Sequence, residues 1–566
     1  MRTVRPLVIA AVGVMCVACL FAAHPSSVQA QSAVTDKDGL VALQILGMND
    51  FHGNIEPPAG SSGRVGSVDA GGAEYLATHL ANARQGKPYS VTVSAGDNIG
   101  ASPLLSGLFH DEPAVESLMD MGLDIAAVGN HEFDEGSDEL LRIQRGGCHP
   151  KDGCKVRPYG GATFEYLSTN VVDKKSRQPL LASSSIRNYG GVRVAFLGLT
   201  LKDTPSIVSP GGVRSLDFLD EADAINAEVK RLKSQWSNLN AFVVLIHEGG
   251  LPTGGINECP GISGPINDIV KKMTKDVDLV ISGHTHAAYV CKIDGVPVSS
   301  SLAFSRLYAD IDTRLSPVTN DFVSIKIENK IVTRDVAKNA TQTNIINRWK
   351  AASAPLANRI VGSIPADVTR TANPAGESAA GDLIADSQLF ATKDKANGGA
   401  QIAFMNPGGI RTDFIFKQSS GGEKDGDVTF GEAFSVQPFG NNLVTMTVTG
   451  ANIKEILEQQ FDNPTPGTSR ILQVSEGFEY TYDKAAAKGS RVVSMSLSGK
   501  AIEATVTYRV TANNFVADGG DLFAAFTKGT DRLGGVVDTD ALEAYLLSPE
   551  SKKDSVGKVG SRIKTK

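Results

Sequence analysis

Five stretches of this chain set imidazole and carboxylate side chains directly after a short apolar run. Val41 to Met48 is followed by Asn49-Asp50-Phe51-His52-Gly53, Tyr89 to Ser94 by Ala95-Gly96-Asp97-Asn98, and Ile125 to Val128 by Gly129-Asn130-His131-Glu132-Phe133-Asp134. Phe242 to Ile246 is followed by His247-Glu248-Gly249-Gly250, and Leu279 to Ser282 by Gly283-His284-Thr285-His286. Imidazole together with carboxylate suits zinc, manganese, iron or cobalt, whereas oxygen donors alone would favour calcium or magnesium. Five histidines with Asp50 and Asp97 are more donors than one tetrahedral ion uses, so two ions sharing a carboxylate is the economical reading. Such a pair can activate a water, hold a phosphoryl group under attack and neutralise its charge. Three histidines outside the motifs, His79, His110 and His149, read as ordinary core or surface residues.

These motifs need a scaffold that brings strand ends together. From about residue 40 to 335 short apolar runs, among them also Val192 to Leu199, alternate with amphipathic stretches at Glu74 to Arg84 and Glu221 to Trp236. That alternation marks an α/β layer fold, in which the carboxyl ends of strands line one rim and bind ligands. Glycines 53, 96, 129 and 283 fit loops that turn sharply and approach one another closely. A chain of 566 residues exceeds one core, so at least two domains are expected. We divide it into a leader over 1–30, a first domain over 31–340, a linker helix within 341–360 and a second domain over 361–566. The linker reads as a helix from Asn344 to Asn358, with Ile345, Ile346, Trp349 and Leu356 as its apolar face. The second domain carries the Gly-rich, charged loop 419–426 and a helix from Asn452 to Gln460.

Arg2 and Arg5, the apolar stretch Leu7 to Ala23 and the small-residue site ending at Ala30 read as a secretory signal. The apolar run is about 17 residues, short of the roughly 20 of a membrane span; a lipid-modified Cys19 is the weaker alternative. No later segment is apolar enough to span, so a soluble, periplasmic or secreted protein is expected. Four cysteines would remain after cleavage, and an exported compartment permits disulfides. Of the three connectivities we choose Cys148 with Cys154 and Cys259 with Cys291; a four-cysteine zinc site is disfavoured by the lack of any Cys-x2-Cys pair. The formal charge of -7 argues against a nucleic-acid polymer as partner. It does not exclude a phosphate substrate, because two divalent cations beside Asp50 and Asp97 would leave the site itself positive.

In the second domain, Asn406-Pro407-Gly408-Gly409-Ile410-Arg411 puts a guanidinium beside a glycine turn, a group suited to bidentate phosphate contact. Phe439, in Val436-Gln437-Pro438-Phe439-Gly440-Asn441, and Phe515, in Asn513-Asn514-Phe515-Val516-Ala517-Asp518-Gly519-Gly520-Asp521, stand among polar residues and glycines. They are as suited to stacking a nucleobase as to packing.

The ordered set Asn-Asp-x-His-Gly, Gly-Asp-Asn, Gly-Asn-His-Glu-Phe-Asp, His-Glu-Gly-Gly and Gly-His-Thr-His resembles the calcineurin-like metallophosphoesterases. With the second block, nearly all of the chain is similar to the 5'-nucleotidase family, which includes bacterial periplasmic 5'-nucleotidase/UDP-sugar hydrolases and animal ecto-5'-nucleotidases. The resemblance implies a four-layer metallophosphoesterase β-sandwich flanked by helices, followed by a C-terminal α/β substrate-binding domain. It implies two divalent ions, zinc, manganese or cobalt: Asp50, His52 and His286 on one, Asn130, His247 and His284 on the other, and Asp97 bridging. Some bacterial members carry glutamine where His286 stands here. His131 then resembles the catalytic histidine, paired with Asp134, and stabilises charge during in-line attack of a metal-bound hydroxide on phosphorus. The resemblance further implies that Phe439 and Phe515 sandwich the base, Asp521 binds ribose hydroxyls and Arg411 binds phosphate. Asn406, Gly409, Asn441 and, less securely, Arg370 complete the substrate site. A domain rotation would carry substrate to the metals. The expected activity is release of phosphate from nucleoside 5'-monophosphates by a monomer or dimer. The alternatives are 2',3'-cyclic nucleotide or 3'-nucleotide hydrolysis, UDP-sugar cleavage, a sulfur-oxidation hydrolase of similar architecture, and a non-catalytic nucleotide-binding surface protein.

Overall fold

Each apolar run marked in the sequence of the first domain is a strand. The computed structural model describes residues 35–58, 60–208, 210–418, 422–552 and 558–566. The expected signal with Cys16 and Cys19, and residues 419–421 of the expected Gly-rich loop, lie outside them. In chain order the first domain contains β1 (Val41–Met48), β2 (Ser90–Ser94), β3 (Ile125–Ala127), β4 (Glu165–Leu167), β5 (Ser184–Tyr189) and β6 (Val192–Thr200). It continues with β7 (Ala241–His247), β8 (Leu279–Ser282), β9 (Ala288–Ile293), β10 (Val296–Ser301), β11 (Leu307–Ser316) and β12 (Asp321–Ile331).

Two six-stranded sheets result, ordered β12-β11-β1-β2-β3-β4 and β9-β10-β8-β7-β6-β5. In the first, β1 to β4 run parallel; in the second, β6, β7, β8 and β10 do. Ile45, Val93, Ala127, Phe196, Leu245, Ile281 and Ile311 are fully buried in the layer between the sheets. The outer face of the first sheet packs on helices α1 (Ala73–Arg84), α2 (Leu104–Gly107) and α3 (Glu112–Asp120), that of the second on α4 (Glu221–Gln235). Helix, sheet, sheet, helix is the four-layer arrangement expected. Its physical cause is that buried parallel strands are apolar on both faces and must be covered on both. The disulfides join Cys148 to Cys154 and Cys259 to Cys291.

Helix α5 (Ala340–Ala357) begins four residues before the apolar pattern does, because the Asn339 side chain caps it by accepting from the amides of Thr341 and Gln342. Ile345, Ile346 and Trp349 are buried in the first domain's core, and the Trp349 indole donates to Glu116 Oε2 at 3.0 Å. The linker helix is thus packed on the metal-motif domain.

The second domain is built on a sheet of β13 (Ile402–Met405), β14 (Asn442–Thr449), β15 (Gln473–Val474), β16 (Thr507–Asn513) and β17 (Thr530–Val537), ordered β15-β13-β16-β14-β17. Helix α6 (Ala379–Thr392) packs on one face. A smaller four-stranded sheet and α8 (Gly450–Glu458), which follows α7 (Phe430–Val436) in the chain, cover the other. Helix α8 starts at Gly450 rather than Asn452, because the Thr449 hydroxyl accepts from the Asn452 amide and so caps the helix two residues earlier. β13 and β16 are parallel and β14 is antiparallel to β16. The ends of β13 and β16 and the start of β14 therefore share one rim, which carries Asn406, Phe515 and Asn441. Helix α7 packs against α2 and α5 and closes this rim toward the first domain.

Candidate active site

The loops after β1, β2, β3, β7 and β8 meet where the rims of the two sheets join. The Asp50 amide donates to Gly96 O at 3.0 Å and that of His52 to Asp97 O at 2.9 Å, which locks the first two motifs together. The His284 amide reaches the Asp50 carboxylate at 3.1 Å from the opposite sheet. A Cβ on Gly129 would stand 2.2 Å from Asp97 Oδ1, so only glycine lets the third motif pass the second this closely. Five of the proposed ligands, Asp50, His52, Asp97, His284 and His286, hold left-handed backbone with φ from 46° to 70°. For residues other than glycine that conformation costs about 1–3 kcal/mol each and persists only where the surroundings over-determine it, as at functional sites.

Six of the seven proposed ligands come together in two groups, and the seventh, Asn130, precedes His131, whose amide is hydrogen-bonded to Asp97. Donor atoms of Asp50, His52 and His286 lie within 4.8 Å of one another, as do those of Asp97, His247 and His284. His52 Nε2 faces His286 Nε2 at 3.1 Å and Asp97 Oδ2 at 3.6 Å. The rings are oriented from behind: His52 Nδ1 donates to Gly100 O at 2.9 Å and His247 Nδ1 to Ala95 O at 2.8 Å, which leaves each Nε2 lone pair facing the cluster. Among the described residues Asn130 Oδ1 is buried with no hydrogen-bond partner, and with the ring proton on Nδ1 the His247 Nε2 lone pair faces the Asp97 carboxylate at 2.9 Å with no donor to satisfy it. Two orphaned acceptors in a buried nest of imidazoles and carboxylates are what a pair of divalent cations would satisfy.

The electrostatics agree. Burial drives the pKa of His284 down to about 3 and that of His52 well below the usual imidazole value, so both rings stay neutral, as metal ligands must. Burial alone would raise Asp97, but His247 and His131 outweigh it and hold the carboxyl well below its ordinary range. On His247 burial opposes charge, yet Asp97 at 2.9 Å lifts its pKa to about 10; the carboxylate that favours a proton there would equally favour a metal cation.

His131 and Asp134 stand beside the cluster. The sequence spacing of three becomes a 3-10 turn in which His131 Nδ1 donates to Asp134 Oδ2 at 2.8 Å. The His131 amide donates to Asp97 Oδ1 at 2.9 Å. Burial opposes a charge on His131, but Asp134 and Asp97 outweigh it, so its pKa is raised. Three supporting residues were given no role by sequence reasoning. Glu132, buried, accepts from the amides of Asp97, Asn98 and Gly129 and so clamps two ligand loops together. Its pKa is pushed up to about 7 by burial and by Asp97. Asn49 donates to Asp50 Oδ2 at 2.6 Å. The only signal for either was its place inside a ligand-bearing motif. The third, Arg470, is in the other domain.

There the Asn406 to Arg411 turn spans two regions. At one end Asn406 donates to Asp521 Oδ2 at 2.7 Å, while Arg470 pairs with Asp521 Oδ1 at 2.9 Å. Gly409 is buried against Met405 and Asn406, where a Cβ would stand 2.5 Å from the Met405 methyl. At the other end the Arg411 guanidinium lies 5.7 Å from the Phe439 ring centre, and Asp134 and Asp97 act on its charge. Phe439 stacks on His131, with ring centres 5.8 Å apart and planes at 21°. Phe515 packs against Gly520, and Phe439 and Phe515 make no direct ring contact among the described residues. Asn441 accepts the Asp538 amide at 2.8 Å, and Arg370 donates to Asp413, from its amide at 2.8 Å and from Nε at 3.3 Å.

Comparison with known proteins agrees with the two-domain fold. The calcineurin-like phosphoesterase family matches residues 43–288, and the 5'-nucleotidase C-terminal domain family matches residues 356–528. The cell wall protein Lmo0130 of Listeria monocytogenes is 33% identical over 92% of this chain and 68% of its own length. This chain belongs to the 5'-nucleotidase family. Endonuclease YhcR of Bacillus subtilis is 32% identical over 90% of the chain, which spans only 40% of that longer protein. Among solved structures, the 5'-nucleotidase precursor from Thermus thermophilus superposes with a TM-score of 0.73 at 25% identity, covering 93% of this chain and 99% of that one. The 5'-nucleotidase fold thus extends over both domains, and its metallophosphoesterase half is metal-dependent as a family.

Proposed function

We propose that this 5'-nucleotidase family member is an exported hydrolase that releases phosphate from nucleoside 5'-monophosphates. The observation that carries the reading is the stack of Phe439 on His131, which brings the second domain's aromatic ring and Arg411 onto the metal cluster of the first. Two divalent cations held by Asp50, His52, His286, Asn130, His247, His284 and the shared Asp97 would supply an activated water and countercharge for the phosphoryl group. Arg411 contributes a guanidinium that can pair with phosphate oxygens. His131, its tautomer held by Asp134, donates from Nε2 to the phosphoryl oxygens as charge builds on them. Asp521 keeps lone pairs free beyond those given to Asn406 and Arg470, and these can accept ribose hydroxyls. Phe439 and Phe515 offer faces to the base. Export is supported by the leader-like residues 1–30 and by two disulfides; no helix among the described residues is long and apolar enough to cross a membrane.

The test is a phosphate-release panel with AMP, 3'-AMP, 2',3'-cyclic AMP, UDP-glucose, a short oligonucleotide and p-nitrophenyl phosphate. The oligonucleotide arm is included because one relative is named an endonuclease. AMP is expected to be turned over fastest, with activity lost to chelator and restored by manganese, cobalt or zinc. No release from any nucleotide would overturn the enzyme reading, and faster cleavage of another substrate would reassign it. In the same assay Phe439→Ala should raise KM for AMP roughly 10- to 100-fold, as expected for a stacking contact of about 1–3 kcal/mol. It should leave KM for p-nitrophenyl phosphate within about twofold, and equal effects on both substrates would contradict the stacking role.

A further inference from the structure

His110 and His149, which the sequence leaves as ordinary histidines, lie face to face with ring centres 3.7 Å apart and planes at 15°. Both are largely buried, with side chains 13% and 12% exposed. Carboxylates flank both edges of the stack. Glu135 Oε2 is 2.8 Å from His110 Nδ1 and 3.8 Å from His149 Nε2; Asp152 Oδ2 is 2.9 Å from His110 Nε2 and 3.8 Å from His149 Nδ1. The four side chains come from three segments: the turn before α3, the residue after Asp134, and the loop closed by the Cys148–Cys154 disulfide. Two histidines and a carboxylate with donor atoms within 4.8 Å of one another form a donor set separate from the active-site cluster.

We propose that His110, His149 and Glu135 bind a third divalent cation of the zinc class, with Asp152 as the outer carboxylate that orients the rings. Donation from His110 Nε2 to Asp152 leaves the Nδ1 lone pair toward Glu135, the carboxylate–histidine–metal arrangement that fixes a ligand tautomer. His149 Nδ1 accepts the Asp152 amide at 3.1 Å. Ion binding selects the other tautomer: Nε2 gives up its proton to solvent, Nδ1 takes one up and exchanges the Asp152 amide for the Asp152 carboxylate, whose Oδ2 stands 3.8 Å away, and Nε2 is left free for the ion. Two neutral imidazoles and two carboxylates balance the ion's charge, and water completes a tetrahedral shell. Burial opposes charge on His110, and the Glu135 and Asp152 contacts outweigh it and raise its pKa, so the pocket favours positive charge. The ion would pin the disulfide loop to the residue that follows Asp134.

The test is metal content of tag-free protein after equilibration with zinc and dialysis. Wild type should retain three ions per chain and His149→Ala two. An Asp50→Asn, Asp97→Asn double variant should retain one, and the triple variant none. Asp152→Asn should weaken the third ion about 10- to 100-fold while leaving the other two. Two ions in wild type, three in His149→Ala, or none in the Asp50→Asn, Asp97→Asn variant would each overturn the proposal. That variant leaves the His110 cluster intact, so it tests the site even if His149→Ala does not fold.

Discussion

Replacing Asp97 by Asn is expected to lower kcat/KM for AMP by at least about 10^3-fold, equivalent to about 4 kcal/mol of transition-state stabilisation, and to deplete both ions of the active site. Asp97 is 1% exposed, with Oδ2 2.9 Å from His247 and 3.6 Å from His52, one histidine from each proposed ion. It lies closer to both histidines than Asp50 does, whose Oδ1 is 3.8 Å from His52 and 4.0 Å from His247. Asn keeps the shape and an oxygen for the His131 amide, which donates to Oδ1 at 2.9 Å, so the turn should survive. What is lost is one of two negative charges facing two dications in a buried site, where an uncompensated charge is most costly. Circular dichroism should match wild type while metal content falls. Activity within about tenfold of wild type, with both ions retained, would rule out the bridging role.

His131→Ala is expected to reduce kcat about 10^2- to 10^4-fold, the range for a positioned proton-transfer or charge-stabilising group, with KM changed little and metal content unchanged. The second half of that expectation decides between two roles, because His52, Asp97 and His131 also bring donor atoms within 4.8 Å of one another. A histidine serving the substrate leaves the ions in place when truncated; a ligand takes one with it. Geometry favours the substrate role. His131 gives Nδ1 to Asp134 and turns its ring face to Phe439 of the other domain, and both orphaned acceptors of the cluster belong to other residues. Loss of an ion in His131→Ala would reassign it. Asp134→Asn should fall in the same direction but less, because the ring stays and only its orientation and charge are compromised.

Much of this was legible because the informative residues are local to their motifs. A strand that ends in Gly-Asn-His-Glu-Phe-Asp or Gly-His-Thr-His carries its ligands on consecutive residues, and alternation of apolar runs with helices dictates that such ends share a rim. The strands follow the apolar runs within a residue or so, since burial on both faces leaves few other readings. Helix starts were less legible. Asn339 and Thr449 cap α5 and α8 through side-chain hydrogen bonds, which periodicity does not report.

What stayed hidden depends on partners far apart in the chain. Glu132 gains its role only because β2 and β3 pair side by side, so that one carboxylate can hold three amides from both loops. Arg470 meets Asp521 across 51 residues, and His110 meets His149 through a disulfide-closed loop. Cysteine count allowed three pairings, and the fold joins the pair chosen from the sequence, Cys148 with Cys154 and Cys259 with Cys291. The sequence by itself determined the chemistry: which donors exist, that they suit paired divalent cations, and that a second domain carries side chains suited to phosphate and to a nucleobase. The tertiary structure alone decided proximity, setting Phe439 over His131 with Arg411 beside Phe439 and leaving Asn130 Oδ1 buried without a hydrogen-bond partner among the described residues, because packing two sheets face to face brings their rims together and joins residues that no local pattern connects.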